Sequence, residues 1–281
     1  MTGFIIVDKA EGVSSAREVA KIKRLFGVPC GHMGTLDPMA GGVLCVGVGN
    51  ATRLFDYFLQ KTKTYVATFR FGEDYDTLDT TGSVLSVGGR IPETEEIERV
   101  IPSLVGEIMQ IPPKYSAKNV NGKRGYALAR AGVDFELPPK KVKINYIKFL
   151  NRTDAEFKFE IECGGGTYIR SIARDMAEKL GTYAAMSALI RTRSGPFGIE
   201  NAVKTDCLTA ENKDGYLIPC DGVLPFESVY ADEAMAKKIF NGAIWQSSLA
   251  DGTYKLYDPD GNFYGLAVVN DGILRARTKL C

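Results

Sequence analysis

Gly31-His32-Met33-Gly34-Thr35-Leu36-Asp37-Pro38-Met39-Ala40-Gly41-Gly42 is the stretch that decides how the rest of the chain is read. It holds the only histidine in 281 residues and sets an Asp-Pro step between glycine-containing turns, ahead of the apolar run 43–48. Glycine adopts backbone conformations closed to other residues, and proline fixes its own φ and restricts the residue before it. The stretch therefore reads as a shaped loop entering a buried strand, with the Asp37 carboxylate placed to face a pocket. As residue types alone, Asp-Pro is a common turn signal and a lone histidine is as a rule structural.

Upstream, 4–7 is a short apolar strand and 9–13 a turn. Ser15-Ala16-Arg17-Glu18 has the form of a capping box. The helix it opens carries Val19, Ile22 and Phe26 on one face and stops at Gly27. Downstream, a short helix is expected through Phe55, Phe58 and Leu59, then an alternating strand over 63–72. The segment 76–82, rich in Asp and Thr, reads as a self-capping turn, and 94–104 as a helix with Ile97, Val100, Ile101 and Leu104 on one face. Residues 142–150 and 157–163 read as paired strands. Gly164-Gly165-Gly166-Thr167 then opens a helix over 168–180 that Gly181 stops. No Gly-Lys-Ser/Thr follows those glycines, which excludes a nucleotide P-loop. Near residue 225 the pattern changes. A helix is expected over 229–239, followed by short strands with turns at Asp251-Gly252, Asp260-Gly261 and Asp271-Gly272. Trp245, Tyr254, Leu256, Tyr257, Phe263 and Tyr264 would fill a small barrel there.

The chain is long enough for one large domain or two smaller ones, and its 45% hydrophobic and 25% charged residues are those of an ordinary globular protein. No apolar run reaches membrane-spanning length, and the first residues lack the basic flank and apolar length of a signal peptide. A cytoplasmic location follows as the default. The six cysteines (30, 45, 163, 207, 220 and 281) form no C-x-x-C pair, and one histidine cannot support a His-rich metal site. Free thiols and no metal are expected. The net charge is only +1, but its distribution is uneven. Residues 111–150 carry nine Lys and Arg against Asp134 and Glu136, an excess of seven, whereas 72–99 lean acidic. A basic segment on a neutral protein points to one face that meets a polyanion.

His32 to Leu44 closely resembles the active-site motif of the tRNA pseudouridine synthase B family, which converts uridine 55 of the tRNA T loop to pseudouridine. Lys63-Thr64-Tyr65, the Asp76–Gly82 turn, the string from Gly165 to Asp175, and the segment from 184 to Phe197 are similar to further motifs of that family. The resemblance implies an α+β fold. It comprises a catalytic domain over 1–224, with a mixed or antiparallel sheet flanked by helices, and a small β-rich, PUA-like RNA-binding domain over 225–281. An RNA-clasping insertion is expected at about 110–141, where Lys, Arg, Gly and Tyr interleave between Pro112-Pro113 and Pro138-Pro139.

Residue by residue, the resemblance makes Asp37 the catalytic aspartate and sets His32 beside the flipped-out nucleotide. Tyr65 would stack on the target uracil, Tyr168 and Arg170 would enter the pocket, and Leu189 would lie against the carboxylate. Asp79 would help shape the RNA groove. Lys63, Lys118, Lys123 and Arg124 would meet the RNA backbone. Three departures stand out: Lys9-Ala10 where the family has Lys-Pro, Tyr75 for a threonine, and Asn119 where a lysine is common, with Lys118 just before it. The expected partner is the T stem-loop of tRNA, met by a monomer with no cofactor and no protein partner. The rival readings are an RNA-folding chaperone that grips tRNA without chemistry, and a related synthase with another RNA target.

Overall fold

In a computed structural model of the protein, residues 1–59, 61–116, 119, 120, 123, 124, 131, 133, 135 and 137–280 are described. The chain runs β1 (Gly3–Lys9), α1 (Ser15–Phe26), β2 (Cys30–His32), β3 (Gly41–Val48), α2 (Phe55–Leu59) and β4 (Lys63–Phe71). It continues through β5 (Glu73–Tyr75), β6 (Val84–Val87), α3 (Thr94–Val100), β7 (Gly106–Gln110), β8 (Asn119–Val120), β9 (Lys123–Arg124), β10 (Lys140–Thr153) and β11 (Glu156–Cys163). The main sheet closes with α4 (Ile169–Lys179), β12 (Ala184–Ser194) and β13 (Phe197–Gly198). Last come β14 (Ser228–Tyr230), α5 (Glu233–Ile239), β15 (Trp245–Gln246), β16 (Gly252–Tyr257), β17 (Phe263–Asn270) and β18 (Ile273–Lys279).

Among the described residues the main sheet has nine strands in the order β1-β3-β12-β4-β11-β10-β7, with β2 added to β3 and β13 to β12. All pairs are antiparallel except β3 with β12. β1 and β3 carry apolar residues at consecutive positions because both faces are covered there. Ile5 and Val7 point into one core cluster while Phe4 and Ile6 point into the other, and Leu44 and Val46 alternate with Val43 and Cys45 in the same way. Farther along the sheet one face is open. Phe157, Phe159 and Ile161 are fully buried, whereas Lys158 between them is exposed. The helices α1, α3 and α4 contribute Ile22, Ile97 and Ile172 to the cluster on the covered face. The free edge of β1 is closed by the later segment 199–224, through Phe4–Ile218 and Val7–Val203 bridges.

The second sheet takes the order β14-β16-β17-β18-β15 and has its own core around Ile239, Leu256, Ala267 and Leu274. Its edges stay unjoined, so the aromatic residues read as filling a barrel instead line an open sheet, with Tyr254, Tyr257 and Tyr264 buried. Asp271 and Gly272 both have positive φ (50° and 71°), the signature of the two-residue hairpin turn expected there. Asp251-Gly252 instead leads into β16, of which Gly252 is the first residue, without a hairpin. The helix expected over 229–239 is shorter. Residues 228–230 pair in parallel with 255–257, and α5 starts only after Asp232, whose carboxylate caps it. The cap of α1 also differs by one residue. Ser14 accepts from Arg17 N, while the Ser15 hydroxyl is buried against Leu36. Among the described residues no helix is long and apolar enough to cross a membrane.

Candidate active site

The loop between β2 and β3 is held at nearly every carbonyl. Arg191 Nη2 donates to Gly34 O at 3.0 Å and Nη1 to Thr35 O at 3.4 Å. Ser15 Oγ donates to Leu36 O and accepts from Leu36 N, both at 2.9 Å. Gly12 N and Lys9 Nζ both reach Pro38 O, at 2.7 and 3.2 Å. Gly42 follows with φ 91°, and a β-carbon there would stand 2.3 Å from Arg191 O. Only glycine lets β3 begin this close to β12. With its backbone thus fixed, the loop projects the Asp37 carboxylate, whose side chain is 40% exposed.

The carboxylate meets Arg170, the second residue of α4, with Nη2 at 2.9 Å from Oδ2. Arg170 is 6% exposed. Nη2 also donates to Tyr115 O at 3.1 Å, and Nη1 donates to Thr77 O at 2.9 Å and to Asp79 Oδ2 at 3.2 Å. A buried guanidinium is costly unless its fork is filled, and here two carboxylates and two carbonyls fill it. Asp79 is itself held. Its Oδ1 accepts from Thr77 Oγ1, Thr81 N and Thr81 Oγ1 at 3.0, 3.0 and 2.5 Å. Thr80 N and Met186 N tie the same turn to β12. Leu78, just before Asp79, sits at φ 60°, a conformation costing about 1–2 kcal/mol for a branched side chain.

Around this pair stand the aromatic and apolar residues expected from the sequence. Tyr65 and Leu189 are 7% and 6% exposed and share one core cluster with Leu36. Burial pushes the Tyr65 phenol above its ordinary value, while the adjacent Arg191 guanidinium opposes that rise. Tyr168, which caps α4 and is half-buried, is raised by burial in the same way. His32 lies on β2 opposite Val46, its Nδ1 buried without a partner. Burial and the charge of Arg191 push its imidazole below the ordinary value, favouring the neutral form.

Lys63 corrects an expectation. It is 5% exposed, and Nζ donates to Leu59 O and Lys61 O at 2.9 and 2.8 Å, beneath the active-site loop. Burial lowers it to about 8. A side chain so enclosed does not present its charge to an RNA backbone. Lys123 and Arg124 form β9, paired with β8, and Lys118 lies outside the described residues. Asp79, expected to shape a groove, is instead a buried partner of Arg170.

Sequence reasoning missed Lys9 and Arg191, each 1% exposed and each donating to loop carbonyls. The only sequence sign is a cation close behind a fully apolar run, Lys9 after Ile5–Val7 and one intervening residue, Arg191 directly after Ala188–Ile190. A cavity of about 1070 Å³ opens behind the site, lined among others by Tyr75, Leu78, Tyr115, Leu137 and Arg174. Asp37 is not among its walls. Among the described residues no three His, Cys, Asp or Glu side chains converge as a metal site requires.

Residues 18–169 match the model of the TruB family pseudouridylate synthase N-terminal domain, and 170–229 that of the tRNA pseudouridylate synthase B C-terminal domain. The two matches meet inside the first turn of α4. The chain is 39% identical over 242 residues to tRNA pseudouridine synthase B of Caldicellulosiruptor saccharolyticus, covering 86% of this chain and 83% of that one. It is 37% identical to the Clostridium novyi protein of the same name, with both chains fully covered. Among solved structures it resembles a chain of a Cbf5-Nop10-Gar1 complex, with TM-score 0.70 and 26% identity over 95% of this chain and 78% of that one. A chain of an H/ACA RNP bound to a substrate RNA, 23% identical with TM-score 0.71 over 99% and 85% of the two chains, shares the fold.

Proposed function

The chain belongs to the TruB family of pseudouridylate synthases, and we infer that it converts uridine 55 in the T loop of tRNA to pseudouridine, with Asp37 as the catalytic carboxylate. The observation that carries this reading is the Asp37 carboxylate held 2.9 Å from the buried Arg170 guanidinium, on a loop whose backbone leaves that side chain projecting.

The isomerisation breaks the N1–C1′ bond, turns the base and rejoins it through C5. It needs no redox change and no external energy source. It does need a carboxylate at the junction of base and ribose, walls that retain the freed base, and a group that handles the C5 proton. Asp37 supplies the first. Tyr65, Tyr168 and Leu189 supply the walls, and the Tyr65 hydroxyl is the group suited to the third. A uracil inside a folded T loop must be extruded, which costs a few kcal/mol that stacking on an aromatic face offsets. His32 neighbours the extruded nucleotide. Lys118, Lys123 and Arg124 of the insertion contact the RNA backbone, and 225–281 act as a small RNA-binding domain beside a catalytic domain of 1–224. The enzyme works in the cytoplasm as a monomer, without cofactor or protein partner.

The test is tritium release from a T-loop stem-loop RNA carrying C5-tritiated uridine at the target position, with protein and RNA alone. Release that disappears when the target is cytidine is the expected result. Binding of the RNA with full retention of label would leave only a folding chaperone. Release that appears only on adding a guide RNA would indicate a synthase of another target class.

A further inference from the structure

Gln110 ends β7, the outermost strand of the main sheet, yet it is only 1% exposed. Its amide forms two bonds with the backbone of one residue. Tyr168 N donates to Oε1 at 2.9 Å, and Nε2 donates to Tyr168 O at 3.1 Å. Tyr168 is the cap residue of α4, with extended φ and ψ of −104° and 114° and no side-chain cap bond of its own. An N-terminal helix end leaves backbone N–H groups without partners, and a Ser, Thr or Asp usually meets one of them. Here a side chain 58 residues upstream pairs with both the N–H and the C=O of the cap residue, much as a neighbouring strand would.

The next contacts repeat the pattern. Ser171 Oγ and Arg174 Nη2 both donate to Ile111 O, at 2.9 and 3.1 Å, and Arg170 Nη2 donates to Tyr115 O at 3.1 Å. The first turns of α4 are thus fastened to the segment leaving β7. Of these fastenings only Gln110 grips the backbone between the sheet and the two residues, Tyr168 and Arg170, that flank Asp37. A shift of Tyr168 along its strand direction would swing both away from the carboxylate.

We propose that Gln110 is a positioning residue for the isomerisation, whose amide sets the start of α4 so that Arg170 and Tyr168 face Asp37. This rests on the reading of Asp37 as the catalytic carboxylate. A primary amide both donates and accepts in one plane, and the geometry uses both functions. Gln110→Met keeps the volume and removes both bonds. Gln110→Glu keeps the shape, but it can donate to Tyr168 O only while its carboxyl carries a proton, and burial favours that protonated form.

The experiment measures kcat and KM for tRNA over a pH series, with circular dichroism melts on each variant. For Gln110→Met the expected result is a loss of kcat of at least about tenfold with KM within about twofold, since misplaced groups slow the chemical step more than they weaken RNA contacts. For Gln110→Glu, kcat relative to wild type should climb as pH falls from about 8 to about 6. Wild-type kcat in Gln110→Met overturns the proposal. If Gln110→Met does not fold, a Gln110→Glu ratio that stays flat with pH overturns it. Wild-type turnover in parallel keeps these outcomes separate from failure of the functional reading itself, in which wild type would release no label.

Discussion

Asp37 and Asp79 are bound to opposite arms of one guanidinium, Asp37 to Nη2 and Asp79 to Nη1 of Arg170. One of these carboxylates is half-open and the other is buried, with side chains 40% and 6% exposed. The asymmetry separates their tasks. Asp79 fixes the cation, and the cation aims Asp37.

Asp37→Asn keeps size and loop geometry but removes the anionic oxygen to which the proposed reaction assigns the chemistry. Turnover is expected to fall by roughly a thousandfold or more, with tRNA affinity nearly unchanged. Tritium release and filter binding on the same preparation check this, and wild-type turnover would end the assignment.

Asp79→Asn leaves a buried guanidinium short of one counter-charge. Breaking a buried pair from one side costs about 3–5 kcal/mol. The melting temperature should drop by several degrees, and kcat should fall even at temperatures where the variant is folded. A variant with the wild-type melting curve would show that Arg170 does not depend on the Asp79 charge.

Tyr65→Phe retains the buried ring and deletes only the hydroxyl beside Arg191. KM is expected to stay within about twofold while kcat falls by about a hundredfold, the scale of a lost proton-transfer group. Unchanged kcat together with unchanged KM would instead assign Tyr65 to stacking alone.

Lys63 makes stability depend on pH. Its folded-state pKa is lowered from 10.5 to about 8, so between those values the unfolded chain holds more protons than the folded one. The cost of burying the ammonium is therefore full below pH 8 and is relieved as pH rises toward 10.5, by roughly 3 kcal/mol. Melts of wild type and Lys63→Met across this window should converge or cross as pH increases. Parallel curves would show that the ammonium is not the titrating group.

Lys123→Ala combined with Arg124→Ala removes two charges from β9. Each phosphate contact contributes about 0.7–0.9 to the slope of log affinity against log salt, so the double variant should flatten it by about one to two. An unchanged slope would count against this hairpin as an RNA contact.

Asp37, Tyr65, Arg170 and Leu189 each sit in a short string whose neighbours single it out, and the structure brings these strings to adjoining strands and one helix end, with Arg170 on Asp37. The alternation of β11, apolar on one face and charged on the other, was readable for a local reason too, since a strand covered on one side shows its period directly. Lys9, Lys63 and Arg191 were not readable as buried cations. Their partners are backbone carbonyls, which every residue carries, so no residue type marks where such a partner will be. Ser14 and Ser15 show the same limit on a smaller scale. Both are competent caps, and only Leu36, 21 residues on, decides which one turns inward. Residues 229 and 230 read as the start of a helix because a three-residue strand carries too little pattern, and its partner strand begins more than twenty residues later.

The parallel seam between β3 and β12 joins parts of the chain that are synthesised far apart, with Arg191 reaching Val43 across 148 residues. Contacts of such long sequence separation form late when a chain collapses, because the loop they close must be ordered first. During refolding, secondary structure and the β10–β11 hairpin should therefore appear well before any turnover does. A ribosome-bound chain lacking its last hundred residues would hold the Asp37 loop without the arginine that moors it.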